Sequence, residues 1–357
     1  MKPAAPNRFE LLVPGLLGPI PSDPAALPPG QRSKTPMLDL LLARGRPSAV
    51  ADGNQRLAGR LLERFGANAS APYCLAADDP DWDRGGYYMH ADPVHLRPDR
   101  DLLRLFDARH LGISSAEAQA LVAELNAHFA ADGLRFIAPI ASRWYLHCEH
   151  PPAIKTQPLE GVIGQHIDGL LPSGPDAARW ASLMNEAQML LFQSPANQRR
   201  ENEGRPAVNG LWTWGGGLWQ VPTGADLPAL VRAQSPLAQG LAAAADLAVE
   251  APREVWRPRD GIQLADWHQL QDAVLDTDEL AWAAAAESLD QGLAPLVDAL
   301  RAGDLQRINI DSCDGHCWSI ERADLRAFWR PYWPSPWRRP PTLARRVAQS
   351  QLSASPP

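Results

Sequence analysis

The sequence predicts an α/β fold: a mostly parallel sheet flanked by helices, with a smaller α+β lobe inserted into it. Three observations lead there. Phe9 to Val13 is an apolar run of strand length that stops at Pro14-Gly15, a loop-forming pair where the carboxyl end of a buried strand would lie. Late in the chain, Leu289, Leu293, Leu296, Val297 and Leu300 recur at threes and fours in a helix spanning 287–302. Gly303 closes it and a strand follows at 307–311, the alternation of a parallel sheet. The 357 residues, 45% hydrophobic and 21% charged, suffice for one large domain or for a core carrying an inserted lobe.

In order along the chain, a Pro-rich loop spans 19–29, and Thr35-Pro36 then caps a short helix with Leu38, Leu41 and Leu42 on one face, closed near Gly45. Leu57, Leu61, Leu62 and Phe65 mark a second helix ending at Gly66, and Cys74-Leu75 reads as a short strand. Asp78, Asp79, Asp81 and Asp83 lack the glycine and closing glutamate of a calcium loop, so they read as a solvated acidic loop. Strands are expected at 87–96 and 102–106. Ser114-x-x-Glu117 is a capping box that opens a helix with Ala118, Leu121, Val122, Leu125 and Phe129 inward, ended at Gly133. Two strands follow at 134–138 and 143–148, completing the α+β lobe.

The most informative stretch is 176–222. Asp176 stands as an N-cap, and Trp180, Leu183, Met184, Ala187, Leu190 and Leu191 form the apolar stripe of an amphipathic helix stopped by Ser194-Pro195. A polar block from Asn197 to Asn202 reads as a loop. Leu211 to Trp214 reads as a strand running into a turn of three glycines, Gly215 to Gly217. On composition alone the polar block solvates a loop and the tryptophans fill a core. Beyond it the chain reads as helical over 227–245, with a strand at 246–249. From Pro331 it is rich in Pro, Ser and Arg, a tail that buries little.

Net charge is −7 and the basic residues form no stripe, so nucleic acid is not an expected partner. Four cysteines make no disulfide framework, and no apolar run approaches the ~18 residues of a membrane span. A cytoplasmic protein without membrane contact is expected. The segment Asp311-Ser312-Cys313-Asp314-Gly315-His316-Cys317 carries metal-binding side chains at a strand end, but no second Cys/His cluster exists to complete a zinc site.

The pattern Asn197-x-x-Arg200-x-x-x-Gly204-x-Pro206-Ala207-x-Asn209, followed by Leu211-Trp212-Thr213-Trp214 and three glycines, resembles a segment of the archaeal-type cofactor-independent phosphoglycerate mutases, members of the alkaline phosphatase superfamily. As a whole the chain is more similar still to the RpfE-type regulatory proteins, bacterial relatives without the mutase's metal site. The resemblance extends over about 9–222. It implies an alkaline phosphatase-like core over 1–86 and 152–330, the inserted lobe at 87–151, and the tail at 331–357. It implies substrate-side roles for Arg143, Asn197, Arg200, Asn209 and Trp214. Ser48 lies nearest the place of the nucleophile, and Asp311 and His316 are remnants of a metal-binding pair.

The departures are as informative. Pro14-Gly15 replaces a metal-binding Asp-Gly, and 274–279 offers Asp276, Asp278 and Glu279 but no histidine. The resemblance therefore implies a protein that uses no cofactor and acts by binding or regulation, with a small phosphorylated or carboxylated metabolite or a protein as partner. Two alternatives stay open: a phosphoryl-transfer enzyme with altered catalytic residues, and a protein-binding scaffold.

Overall fold

A computed structural model describes residues 7–18, 35–49, 56–99, 102–251 and 259–326. The expected loop at 19–29 and the tail at 331–357 lie outside the described residues. The chain forms two compact units, one from 1–64 with 225–357 and the other from 65–224. The lobe expected at 87–151 lies inside the second unit, which is wider on both sides because a preceding helix and three following elements pack with it.

The first unit opens with β1 (Arg8–Leu12), α1 (Pro36–Arg44), β2 (Arg46–Ala49) and α2 (Leu57–Phe65). Pro36 occupies the first helical position of α1, where its missing N–H costs nothing. The second unit carries α3 (Ala71–Asp78), β3 (Tyr87–Asp99), β4 (Leu102–Phe106), α4 (Ser115–Phe129), β5 (Leu134–Ile140), β6 (Arg143–Cys148), α5 (Ala177–Gln193), α6 (Pro195–Asn202) and β7 (Gly210–Leu218). The chain then returns to the first unit with β8 (Leu230–Arg232), α7 (Pro236–Ala244), β9 (Ala248–Glu250), β10 (Ile262–Asp266), α8 (Gln269–Leu275), α9 (Glu279–Ala302), β11 (Arg307–Asp311), β12 (His316–Glu321) and α10 (Arg322–Arg326). No helix among the described residues is long and apolar enough to cross a membrane.

Four elements depart from the sequence reading. Cys74 and Leu75 lie in α3, not a strand: Pro72 in the first turn and a buried run from Ala71 to Leu75 make it a short core helix. The polar block is α6, because Ser194 accepts the Ala196 N–H through its hydroxyl and Pro195 starts the new helix. The three glycines continue β7 rather than turn. The region expected as one helix over 227–245 begins with β8 and becomes helical only at Pro236.

The first unit's sheet runs β2-β12-β11-β1-β10-β8-β9. The five strands from β11 to β9 are parallel and the two at the other edge antiparallel. Its core gathers Phe9 and Leu11 with Leu38, Leu41, Leu289, Leu293, Leu296, Ile308 and Ile310. The second unit's sheet is antiparallel. The first half of β3 lies between β6 and β7, and its second half pairs with β4. Because strand side chains alternate, β3 points Met89 and Ala91 into an apolar core under α4 and α5, while His90 and Asp92 face α3.

Candidate functional site

In parallel sheets, chemistry gathers at the carboxyl ends of the strands. In the first unit these ends carry Pro14 after β1, Asp311 on β11, Asp266 on β10 and the Gln234-Ser235 turn after β8. Asp311 is nearly buried. One of its oxygens accepts the Arg60 Nε–H at 2.6 Å and a second guanidinium nitrogen at 2.5 Å; the other accepts the Cys313 N–H at 2.8 Å. Burial opposes the charge on Arg60, but Asp311 outweighs it and raises the guanidinium pKa. His316 is exposed and its Nδ1 lies 3.0 Å from Asp314, so Asp311 and His316 form no pair. Burial and the neighbouring Asp311 push the Cys317 thiol up to about 12, away from the thiolate that would bind metal.

Asp266 was not anticipated; it ends β10, a strand absent from the sequence reading. Its carboxylate accepts the Gln234 N–H at 3.1 Å and the Ser235 hydroxyl, holding the start of α7. Burial raises its pKa, and His268 two residues on acts against that. After β1, a Cβ on Gly15 would lie 2.8 Å from the backbone of Leu270 and Gln271, so the first turn of α8 fills the loop. Trp282 adds an indole N–H bond to the Gly15 carbonyl. Among the described residues no three His, Cys, Asp or Glu side chains converge to hold a metal ion, and Asp311 and Asp266 are already bonded, so these residues do not fit a divalent cation. Ser48 sits in edge strand β2 opposite Cys317, exposed, rather than on a glycine turn at a helix start where a nucleophile would be activated.

The residues expected on the substrate side all belong to the second unit, where each has partners of its own. Asn197 donates to the carbonyls of Leu191 and Val208 at 2.7 and 2.8 Å and accepts the Val208 N–H at 2.9 Å. Arg200 is fully buried: Nε donates to the Pro206 carbonyl at 2.9 Å, Nη1 to Glu117 at 3.0 Å, and Nη2 to the Leu111 carbonyl. Asn209 continues the β3 ladder with its amide, pairing both backbone groups of Leu96. Asn197, Arg200 and Asn209 thus each hold backbone within this unit, and every nitrogen of the buried Arg200 guanidinium has a partner there. Glu117 sits at the hub. Burial raises its pKa, but hydrogen bonds from Ser114, Arg205 and Arg200 outweigh this and hold it at about 2.

Arg143 grips Asp78 with two parallel bonds of 2.8 and 2.6 Å, and the Tyr145 hydroxyl donates to the same carboxylate at 2.7 Å. Trp214 stacks on His90, ring centroids 4.1 Å apart, and its indole N–H donates to Asp92 at 2.7 Å. His90 Nε2 lies 3.2 Å from the Ser70 hydroxyl, while its Nδ1 is buried without a partner. Burial drives His90 down to about 3 and lifts Asp92 to about 7, so both are neutral between those two pH values. The glycines make this layer possible: a Cβ on Gly215 would stand 2.1 Å from the Ser70 hydroxyl oxygen, and on Gly217 2.4 Å from Ala69. They admit the start of α3, not a ligand. Sequence reasoning missed Ser70, His90 and Asp92 because only the β3 register puts the two β3 side chains opposite α3.

A seven-stranded, mostly parallel sheet with helices, joined to a unit built on an antiparallel sheet, defines a mixed α/β protein. The PH0037 protein of Pyrococcus horikoshii shares the fold at a TM-score of 0.50 and 14% identity, over 89% of this chain and 88% of that one. No family model matches the chain. The 2,3-bisphosphoglycerate-independent phosphoglycerate mutase of Methanosarcina mazei is 26% identical over 205 residues, 52% of this chain and 49% of the relative. That of Methanosarcina acetivorans is 25% identical over 205 residues, again 52% and 49%. The homologues of this chain are thus cofactor-independent phosphoglycerate mutases of the archaeal type, and it spans about half the length of those it matches.

Proposed function

We propose that this chain is a phosphoglycerate mutase-like protein that has lost metal-dependent phosphoryl transfer and acts as a regulatory or ligand-binding protein of the RpfE type. The Arg60–Asp311 pair carries the reading. Phosphoryl transfer on two metals requires anionic ligands from several strands to converge on the ions, whereas here a guanidinium lies against Asp311 at 2.5 Å. The other strand ends agree: Pro14 offers no ligand atom, α8 packs on Gly15, and Asp266 holds the start of α7. No observation favours an active enzyme with substituted residues.

With phosphoglycerate and magnesium, manganese, cobalt or zinc, turnover is expected to stay below ~1 per second. Elemental analysis of protein purified without chelators is expected to find no stoichiometric metal. A faster turnover abolished by EDTA would overturn the reading. Regulation leaves a small phosphorylated or carboxylated metabolite or a protein as the partner, and calorimetric titration with phosphoglycerate distinguishes them.

A further inference from the structure

The inner face of α5, with Trp180, Leu183, Ala187 and Leu191, is buried in the second unit's core. Its outer face carries Ala178, Ser182, Asn185, Met189 and Phe192, all exposed. Phe192 at 72% and Met189 at 63% are the most exposed large apolar side chains described. Neither serves any function derived above. The five positions follow one another at intervals of four, three, four and three, the spacing of a heptad seam rather than of scattered surface residues.

We propose that this face is a homodimer interface, in which α5 of one copy packs antiparallel on α5 of a second about a two-fold axis. A two-fold contact must be self-complementary, and three features make this face so. The first is size. The amino-terminal half of the seam is small, with Ala178 and Ser182, and the carboxyl-terminal half bulky, with Met189 and Phe192. Antiparallel pairing sets Met189 of one copy over Ala178 of the other, whereas parallel pairing would stack bulk on bulk and leave a gap over the alanines.

The second feature is charge. Arg179 and Glu186 flank the seam on one side, seven residues apart. Antiparallel pairing brings Arg179 of each copy to Glu186 of the other, giving two ion pairs, while parallel pairing sets neither against an opposite charge. Glu186 is reachable, its side chain 46% exposed beside an equally exposed His128 at 3.3 Å. The third is the polar centre. Asn185 of one copy meets Ser182 of the other on each side of the axis, and a polar pair inside an apolar seam penalises slipped registers.

One helix pair buries less than the ~800 Å² per partner of a standard interface, so the dimer forms weakly, with a dissociation constant on the order of micromolar. Sedimentation equilibrium of the full chain from ~1 to ~100 µM is expected to show reversible dimerisation. Met189→Glu and Phe192→Glu should each weaken it at least ~tenfold with unchanged circular dichroism melting. Arg179→Glu should weaken dimerisation and Arg179→Glu with Glu186→Arg restore it. Oxidised Ala178→Cys/Met189→Cys protein should run as a covalent dimer. A chain monomeric at the highest concentration, or a dimer indifferent to both glutamates, or a charge swap that fails to restore association, overturns the proposal.

Discussion

Replacing Arg200 tests whether the polar segment after α5 binds a ligand or holds the second unit together. Arg200→Met keeps the length and apolar stem but removes every donor. The carbonyls of Pro206 and Leu111 are then left buried without partners, at about 1–3 kcal/mol each. The Glu117 carboxylate still accepts the Ser114 N–H and hydroxyl and the Arg205 guanidinium, so its charge is not stranded and adds little. The expected loss is therefore ~3–5 kcal/mol, a large share of the stability of an ordinary domain. Arg200→Lys should lose somewhat less, because one ammonium cannot reach three acceptors arranged around a planar fork. Urea unfolding followed by tryptophan fluorescence reads this as a lower midpoint at constant slope. Phosphoglycerate titrated into Arg200→Lys should behave as with the unaltered protein. Stability within ~0.5 kcal/mol of the parent, or phosphate affinity lost while stability is kept, would refute the structural role.

Leu183→Ala should cost ~2–5 kcal/mol, while Leu190→Ala, only partly buried at the edge of the same core, should cost less; equal costs in parallel urea titrations would mean the face is misassigned. The pKa of Glu117 is depressed in the folded state, so its contribution is full above about pH 4.5 and lost as pH falls toward about 2. Glu117→Gln should accordingly show a shallower acid transition, and one as steep as the parent's would count against the hub. Asp92 behaves oppositely: its pKa of about 7 lies above its unfolded value, so stability falls as pH rises from about 4 through 7. Asp92→Asn should flatten that slope in melts between pH 5 and 8, and an unchanged slope would place the titrating group elsewhere.

What the sequence disclosed and what it concealed divide by the distance over which the cause acts. The Ser114-x-x-Glu117 box forms as read, because both partners lie within one turn. The strand at Arg307–Asp311 and the helix before it follow from periodicity, although α9, capped by Asp278, starts at Glu279, eight residues before the expected helix. The polar α6 carries a local signal, Ser194-Pro195, which both ends α5 and starts the next helix. The partners of the candidate site residues had no such signal. Asp311 meets Arg60 from 251 residues away, Arg143 meets Asp78 from 65, and Arg200 meets Glu117 from 83. A motif can place an arginine in a segment, but only the fold decides whether its guanidinium faces a ligand or a carboxylate of the same chain.

The position of β1 bears on how the chain comes to be folded at all. Its neighbours in the sheet are β10 and β11, whose residues follow it by some 250 to 300 positions. At about 5–20 residues per second of synthesis, β1 waits roughly a quarter of a minute to a minute for its partners. The second unit, by contrast, is one continuous stretch that closes on itself. Order of synthesis thus favours the second unit folding while the first remains open, with β1 unpaired and prone to aggregate in the interval. A ribosome stalled shortly after Gly224 should display a protease-resistant second unit and a sensitive amino-terminal segment, and nascent chains of that length are where a chaperone would matter most.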